Sequence, residues 1–244
     1  MGHHGGGEGM SRIVCIVQAR TTSERFPMKI LAGLHGRPML AHVLERAAAI
    51  QGVDQVVLAV PENDVRLVSH LWPHVYGGSE KDVLSRYAEA AEFYEADVIV
   101  RLTGDNPLLC PDLSEKVLQY FNCQSFDYVS NVYPVPTWPD GVPTWPDGTD
   151  TEVFTIASLR QAQNEAKSKY DREHVTAWMR GNLNCGYYAS NVDWSDIRWT
   201  VDTRNDIIHV ENVLQAARER KWTLGDLIEA EGIVRDGRQA KAVE

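Results

Sequence analysis

Short apolar runs alternate along the chain with segments whose apolar residues recur at helical spacing. The strand-like runs occupy residues 12–17, 55–60 and 97–103. The helix-like segments occupy residues 38–50, 63–72, 80–95 and 205–220, and one more begins at residue 111. This alternation is typical of βαβ units. We therefore predict an α/β fold with a mostly parallel sheet, helices on both of its faces, and ligands at the carboxyl ends of the strands.

The pattern changes after residue 127 to turns, prolines and tryptophans, and a strand-like run returns only at residues 196–203. We therefore expect an inserted arm over about residues 130–195. Inside it the heptapeptide VPTWPDG occurs twice in tandem, at residues 135–141 and 142–148. Two copies are too few for a repeat architecture. Either the duplication only lengthens one loop, or a single copy belongs to a functional site.

Both ends of the chain differ in composition from this interior. The first nine residues, MGHHGGGEG, are polar and rich in glycine, so we expect a disordered leader or tag at residues 1–9. The tail at residues 232–244 is polar, and we expect it to be frayed. A single domain is therefore predicted over residues 10–231.

The chain has 244 residues and a formal net charge of −10, which argues against a protein that binds nucleic acid or an anionic membrane by bulk electrostatics. Its apolar runs are too short to span a bilayer. Its four cysteines have no metal-ligand spacing and are typical of a reduced, cytoplasmic protein. Any site for an anion must therefore be local.

The first strand is followed by a loop, QARTTSERFPMKIL, that contains three cations and no glycine. It lacks both the dinucleotide-binding motif and the P-loop motif, so any phosphate must be held by its side chains. Arg20 ends the strand, and Lys29 lies within reach across the loop. Arginine binds phosphate oxygens through a planar fork, and lysine binds them as a mobile point charge. A solvated basic loop is the alternative interpretation.

Two aspartates follow strand-like runs. Asp105 lies beyond the third run, on the strand face that carries Arg101 and Thr103, and Asp202 follows residues 197–201. Capping of the next turn or helix is one explanation for each acid. If both acids lie at the same edge of the sheet, near the basic loop, they suit a Mg²⁺ ion that bridges phosphate oxygens.

Eight segments carry a resemblance to a known family. In chain order they read QARTTSERFPMKIL, GRPML, GGSEKDVLSRY, VIVRLTGDNPLL, DYVSN, WPDGTDTEVF, YDREHVT and IRWTVDT. Together they resemble the spore coat polysaccharide biosynthesis protein F family of cytidylyltransferases, relatives of the acylneuraminate and 3-deoxy-manno-octulosonate cytidylyltransferases. The resemblance covers most of residues 12–214. It implies a GT-A-like (Rossmann-like) nucleotidyltransferase fold, CTP as donor, Mg²⁺ as cofactor, a 2-keto sugar acid as acceptor, and a homodimer with an exchanged arm.

The resemblance also assigns residues. Its nucleotide-binding loop contains Gln18, Ala19, Arg20, Ser23, Arg25 and Lys29. The catalytic residues it implies are Arg20, Lys29, Asp105 and Asp202, and the two aspartates are its metal ligands. Residues 78–86 match the region that closes on the base, where Ser79 and Arg86 are the expected nucleotide contacts beside Asp105. A capped helix start with Leu84 and Tyr87 in the core is the alternative for this region.

On the acceptor side, the family has one W/F-P-D-G motif followed by two acids. Only the second VPTWPDG copy has the expected distance to these acids, so the resemblance assigns acceptor binding to Asp147, Asp150 and Glu152. The motif YDREHVT adds Arg172 for the acceptor's carboxylate and His174 for a hydrogen bond to the sugar. A structural histidine on a helix is the alternative for His174.

We therefore expect a cytidylyltransferase that transfers CMP from CTP to a sugar acid, for surface polysaccharide or glycan synthesis, and releases pyrophosphate. CMP transfer to a phosphonate or another acid is an alternative. A glycosyltransferase that uses a finished nucleotide sugar is a second alternative, which the lack of a D-x-D acid pair after a mid-sheet strand weakens. A nucleotide-binding protein whose duplicated loop has disabled catalysis is a third.

Overall fold

The computed structural model describes residues 11–132, 144–217 and 223–242, with side chains as far as residue 237. The predicted leader and the first VPTWPDG copy lie outside these ranges. The strands are β1 (Ile13–Gln18), β2 (Gly33–Leu34), β3 (Arg37–Pro38), β4 (Gln55–Pro61), β5 (Val75–Gly78), β6 (Val98–Thr103), β7 (Tyr128–Ser130), β8 (Glu152–Thr155) and β9 (Cys185–Tyr187). The helices are α1 (Met39–Ala48), α2 (Val65–Val68), α3 (Val83–Phe93), α4 (Pro111–Asn122), α5 (Ile156–Glu165), α6 (Lys169–His174), α7 (Ala177–Asn182), α8 (Arg204–Ala217) and α9 (Leu224–Ala242).

Seven of these strands form one sheet in the order β5-β4-β1-β6-β8-β7-β9, and β2 pairs separately with β3. Strands β5, β4, β1 and β6 are parallel to one another. Strand β8 is antiparallel to both of its neighbours, whereas β9 is parallel to β7. The prediction of a mostly parallel sheet is therefore confirmed, and the carboxyl ends of β1 and β6 lie side by side.

Both faces of the sheet are buried, which explains the nearly continuous apolar character of the predicted strands. In β1, Cys15 and Val17 face one layer, whereas Val14 and Ile16 face the other, and all four are fully buried. The first layer includes apolar residues of α1, α4, α8 and α9, and the second includes those of α3 and α5. Helices thus cover both faces, as predicted.

The stretch expected to be an inserted arm, residues 130–195, is not separate from the main sheet, which corrects the prediction. It supplies β8 and β9 to the main sheet, where β8 lies between β6 and β7. Val153 and Phe154 of β8 are fully buried in opposite layers. A strand of four residues gives too short a pattern to stand out from the turns and prolines around it.

The strand-like run at residues 196–203 also differs from the prediction. Ile197, Trp199 and Val201 are buried with the alternation of a strand. The segment nevertheless forms only an isolated bridge, between Arg198 and Asp147. It therefore lies beside the loop at residues 144–148 and does not join the sheet.

Two further boundaries differ from the sequence pattern. The segment at residues 63–72 forms a 3-10 turn at Glu62–Asp64 and the single helical turn α2. At the other end, α9 continues through Gly232, so the boundary expected there is not a structural one. The helix is held there by Glu231, which accepts a hydrogen bond from the indole N–H of Trp199 at 3.0 Å. Among the residues described, no helix combines the length and the apolar composition needed to cross a lipid bilayer.

Candidate active site

A cavity of about 1030 Å³ opens at the carboxyl ends of β1 and β6. Its walls come from the loop after β1, the end of β6 with the turn that follows it, the start of α3, the end of α6, and Asp202. Parallel sheets bind ligands at this position. The volume is at the upper end of the range for small-molecule sites, which is enough for a nucleotide and a second substrate.

The loop after β1 is shaped by hydrogen bonds and backbone conformation in place of glycines. Thr21 donates to the carboxylate of Asp64 through its backbone N–H and its hydroxyl, at 2.8 and 2.7 Å. Met28 adopts the left-handed conformation with φ of 58°, which costs a non-glycine residue about 1–2 kcal/mol. The 3-10 turn Lys29–Leu31 follows directly. The loop is therefore held open as a fixed cationic wall of the cavity.

The turn after β6 approaches this loop at Gly104. Its N–H donates to the carbonyl of Gln18 at 2.7 Å. A Cβ atom at Gly104 would lie 2.9 Å from the Cβ of Ala19, closer than such atoms pack. Glycine at this position thus allows Asp105 to lie beside the cationic loop.

Lys29 joins the two predicted metal-binding aspartates. Its ammonium group lies 2.9 Å from Asp105 Oδ2 and 3.2 Å from Asp202 Oδ1, and it donates to the carbonyl of Val201 at 2.8 Å. The lysine is only 8% exposed, so these contacts are shielded from water. The two acids therefore meet at one end of the cavity, as expected from their positions after strand-like runs.

The electrostatics favour the ionised form of Asp202. Burial by itself would raise the pKa of this carboxyl group. The hydrogen bond and charge of Lys29, with the charges of Arg25 and Arg198, outweigh that effect and lower the pKa below its usual value. Arg25 reaches Asp202 Oδ1 at 2.9 Å while its own side chain stays 66% exposed.

The residues predicted for the nucleotide-binding loop all line the cavity. They are Gln18, Ala19, Arg20, Ser23, Arg25 and Lys29. Arg20 lies 3.9 Å from Glu173 on the opposite wall, and Thr22 donates to Glu80 at 2.8 Å. Two polar links therefore cross from the loop to the other walls.

The two residues expected to contact the base do not line the cavity, and Ser79 is exposed at the surface. Arg86 is fully buried and donates to the carbonyl of Ser79 at 2.5 Å. Two of its guanidinium nitrogens, Nε and Nη2, have no hydrogen-bond partner. Burial lowers the pKa of Arg86, and the nearby charge of Arg20 lowers it further. Neither Ser79 nor Arg86 is part of the cavity lining.

The acceptor-side acids are not gathered in the cavity. Asp147 accepts a hydrogen bond from the hydroxyl of Thr200 at 2.6 Å and pairs with Arg198 at 3.0 Å. Asp150 is partly buried, and burial with the charges of Asp147, Glu152 and Asp105 raises its pKa to about 7. Neither Asp147 nor Asp150 lines the cavity.

Glu152 is a correction to the expected acceptor site. It begins β8 and is 5% exposed. Its carboxylate pairs with Arg101 and accepts hydrogen bonds from the hydroxyls of Tyr128 and Thr176 at 2.6 and 2.7 Å. Both of its carboxylate oxygens are therefore engaged inside the fold, because a central strand places it there. Its partner Arg101 lines the cavity.

Arg172 is a second correction. Its guanidinium forms a fork on the carboxylate of Asp82, with Nη2 at 2.6 Å, and Nη1 donates to the carbonyl of Gln163 at 2.9 Å. These contacts tie α6 to the start of α3, so the side chain is not available to an acceptor. His174 lies in the cavity lining, with its ring 4.3 Å from that of Tyr170. Its predicted contact with the sugar stays a prediction.

The donor set at Asp105 and Asp202 fits Mg²⁺. Both carboxylates already face one cation position, which Lys29 fills in this structure. In the described part of the chain, no group of three or more His, Cys, Asp or Glu side chains is arranged to hold a metal. Mg²⁺ in phosphate-transfer sites commonly takes one or two carboxylates and completes its shell with phosphate oxygens and water. Two aspartates are therefore sufficient from the protein.

Three residues of the site were missed in the sequence. Asp64, which holds Thr21, lies in a segment without a recognisable chemical motif, whereas Glu173 in the cavity wall lies within YDREHVT, between the two residues chosen from that motif. Arg198, which contacts Asp202, precedes it by four residues in an extended segment, so the two share a face. That spacing is a signal that could have pointed to Arg198.

Comparison with known proteins agrees with this geometry. The profile of the family described as cytidylyltransferase matches residues 14–219. The spore coat polysaccharide biosynthesis protein SpsF of Bacillus subtilis is 30% identical over 222 residues, which cover 86% of this chain and 90% of that protein. A 3-deoxy-manno-octulosonate cytidylyltransferase of Pelobacter propionicus is 34% identical over 110 residues, 44% of this chain and 43% of that one.

A solved cytidylyltransferase structure, from Leptospira borgpetersenii, superposes with a TM-score of 0.84 at 26% identity. The match covers 94% of this chain and 96% of that one. The fold is accordingly the Rossmann-like nucleotidyltransferase fold, as the resemblance implied. The family profile spans most of the sheet and all of the residues that meet at Lys29. This chain therefore belongs to the cytidylyltransferase family and is a CTP-dependent nucleotidyltransferase.

Proposed function

We propose that this enzyme transfers CMP from CTP to a hydroxyl group of a 2-keto sugar acid. The acceptor oxygen attacks the α-phosphorus and forms a new P–O bond, the bond to pyrophosphate breaks, and the hydroxyl proton leaves to solvent. The observation that carries the proposal is the meeting of Asp105 and Asp202 at one cation position beside the cationic loop. This is the arrangement that a triphosphate needs for charge neutralisation.

The acceptor class is supported by the relatives. One is named for spore coat polysaccharide biosynthesis, and another is named for the sugar acid 3-deoxy-manno-octulosonate. A product activated with CMP suits a pathway that builds a surface polysaccharide or glycan. A sugar acid adds a carboxylate to the four charges of CTP, so both substrates are anions that the cationic loop attracts.

In the proposed complex the cationic loop holds the triphosphate. Arg20 and Arg25 keep exposed side chains in the cavity wall and bind phosphate oxygens. Lys29 has three N–H donors and already makes three contacts, so it must give up at least one of them to reach a phosphate oxygen. Asp105 and Asp202 would hold Mg²⁺, which neutralises phosphate charge in the transition state.

The base and the acceptor occupy opposite sides of the loop. Ser79 is exposed next to the cavity residue Glu80, which supports a place for the base near Ser79, whereas the fully buried Arg86 supports this segment through its hydrogen bond to the carbonyl of Ser79. His174 and Glu173 contact the acceptor from α6. Arg172, which is engaged by Asp82, is not part of this acceptor side.

The proposal is tested by pyrophosphate release from CTP and Mg²⁺ with a panel of 2-keto sugar acids and phosphonates. We expect release only with a sugar acid, and a CMP-linked product by mass spectrometry. Asp202→Asn should abolish turnover and keep the fold, whereas Glu165→Gln, which changes an exposed carboxylate on α5, should leave it unchanged. Release with a phosphonate alone, or normal turnover in Asp202→Asn, would contradict the proposal.

A further inference from the structure

Backbone hydrogen bonds hold the segment that carries Asp202 at two places, since Val201 donates to the carbonyl of Asp105 at 2.9 Å and residues 197–199 pair with one loop. This loop, residues 145–148, is called the clamp loop below; it is the WPDG of the second VPTWPDG copy. The N–H of Asp147 donates to the carbonyl of Ile197 at 3.0 Å, and the N–H of Trp199 donates to the carbonyl of Asp147 at 2.7 Å. The clamp loop therefore replaces the strand partner that residues 196–203 lack.

The last residue of the clamp loop allows a very close approach. Gly148 has φ of 101°, a conformation that other residues rarely adopt. A Cβ atom here would lie 2.8 Å from the backbone nitrogen of Thr200 and 2.9 Å from the carbonyl carbon of Trp199. The two backbones are thus in direct contact, two residues before Asp202.

Side chains continue the same connection into the site. Arg198 places Nε 3.0 Å from Asp147 Oδ2 and donates from Nη2 to Asp202 Oδ2 at 2.6 Å. The other oxygen of Asp202 faces Lys29 at 3.2 Å and Arg25 at 2.9 Å. Each oxygen of this carboxylate is therefore held by a different part of the chain. Asp206 also lies beside Arg198, at 3.3 Å.

We propose that Arg198, oriented by Asp147, is a positioning residue that fixes the carboxylate of Asp202 toward the metal–nucleotide complex. This inference rests on the proposed function of the site. It gives the clamp-loop aspartate a role different from the acceptor binding expected from the sequence. It also connects the second VPTWPDG copy to catalysis through Asp202 and not through direct contact with substrate.

Two effects of Arg198 oppose each other. Its charge disfavours a second cation nearby, whereas its hydrogen bond fixes the orientation of the carboxylate. The side chain is 43% exposed and is surrounded by three carboxylates, so water and counter-charges screen the repulsion. The hydrogen bond acts at 2.6 Å and is not screened in this way. Orientation should therefore dominate, and removal of Arg198 should weaken metal binding.

The test measures binding of Mn²⁺ in the presence of CTP, without an acceptor, from the loss of the free Mn²⁺ signal in electron paramagnetic resonance. Arg198→Gln should weaken binding about 10-fold to 100-fold, the range for lost support of a metal ligand. Arg198→Lys keeps the charge without the planar fork and should recover part of that loss. Arg160→Gln removes an exposed arginine on α5 and should bind as the unmodified protein does.

A second set of variants separates positioning from acceptor binding. Asp147→Asn should weaken Mn²⁺ binding in the same direction as Arg198→Gln, and the double variant should be no weaker than Arg198→Gln alone, because both changes break one chain of contacts. A role in acceptor binding would instead raise the KM for the acceptor and leave Mn²⁺ binding unchanged. Melting temperatures of all variants show whether the fold is retained.

The outcomes distinguish this inference from the proposed function. Binding of Mn²⁺ by Arg198→Gln that equals or exceeds that of the unmodified protein overturns the positioning role and leaves the proposed function intact. A second outcome also overturns the inference: the melting temperature falls in Arg198→Gln, and Arg198→Lys restores the melting temperature but not Mn²⁺ binding. Arg198 would then have a purely structural role. Absence of CTP-dependent Mn²⁺ binding in the unmodified protein overturns both.

Discussion

The ammonium group of Lys29 has three N–H donors, and three oxygen atoms surround it. Two belong to Asp105 and Asp202 and the third to the carbonyl of Val201. Without this cation two partly buried carboxylates would face each other, and like charges at such positions repel strongly. Lys29 therefore keeps the site assembled until substrate arrives, and it lies where it can then meet a phosphate oxygen.

Replacement of Lys29 by alanine should lower kcat by about 10²-fold and change the KM for CTP less, because its charge is used mainly in the transition state. Lys116→Ala, on the exposed surface of α4, is the matched control and should have no effect. Steady-state kinetics at saturating acceptor provide the measurement. A change confined to KM would mean that Lys29 only docks the triphosphate.

At the residue scale, a site residue could be predicted when its pattern is local and not when its partner is distant in the chain. The loop cations and the two aspartates were identified because charged residues at the ends of apolar runs form a local pattern. Glu152 and Arg172 were misplaced, since their partners Arg101 and Asp82 lie 51 and 90 residues away in the chain. Such pairings depend on how strands and helices distant in sequence pack together, which no local pattern contains.

At the scale of whole elements, the strands and helices with long buried faces were predictable. Strands β1, β4 and β6 have six or seven residues each and are buried on both sides. The four-residue β8 and the segment at residues 196–203 were not, because their conformation depends on a partner distant in sequence. The clamp loop is that partner for residues 196–203.

Alanine should have opposite effects at Gly148, where the clamp loop contacts residues 196–203, and at Gly232, which lies in α9. Gly148→Ala should destabilise the protein by roughly 1–3 kcal/mol, because its Cβ meets backbone atoms and its φ is positive. Gly232→Ala, inside α9 with no atom within 4 Å of the new Cβ, should stabilise it by up to about 1 kcal/mol. Chemical denaturation at neutral pH measures both. Equal effects would mean that the clamp loop adapts to a side chain.

The contacts that join α8, α9 and the segment carrying Asp202 should make the stability of the fold depend on pH. Burial would raise the pKa of Glu231, but hydrogen bonds from His209, Trp199 and Arg235 lower it to about 2. Because the pKa of Glu231 is lower in the folded state, its carboxylate stabilises the fold fully when the pH is above the pKa of the unfolded state, near 4.3. This contribution disappears as the pH falls toward 2. The contribution is on the order of 3 kcal/mol, at about 1.4 kcal/mol for each unit.

Glu231→Gln tests this contribution. Denaturation of the unmodified protein and the variant between pH 7 and pH 2 should give curves that differ most at neutral pH and converge in acid. Other carboxylates affect both proteins alike, so only the difference between the curves is assigned to Glu231. A constant difference over the whole range would contradict the role of its ionised form.

At the scale of the whole molecule, the negative overall charge contrasts with a local group of cations in the site. The chain carries a formal net charge of −10, and the cavity lining combines the acids Glu24, Glu80, Asp105, Glu173 and Asp202 with the cations Arg20, Arg25, Lys29 and Arg101, three of which lie on the loop after β1. A small anion is therefore attracted locally, whereas a large polyanion meets a repulsive surface. This distribution suits a free nucleotide triphosphate and disfavours nucleic acid as a partner.

The last prediction is a homodimer in which α6 contacts the second subunit. Helix α6 has six residues, none of them buried, and Tyr170 on it is 60% exposed although it leads directly to the cavity residues Glu173 and His174. A helix this short is marginal by itself, and its link to α3 through Arg172 leaves Tyr170 exposed. Light scattering at micromolar concentration should give twice the chain mass of 27.4 kDa. Tyr170→Glu should weaken the dimer, since it places a charge in an apolar contact, whereas Lys167→Glu just outside the helix should not. A monomeric unmodified protein would contradict the dimer, and an unaffected Tyr170→Glu dimer would place the interface elsewhere.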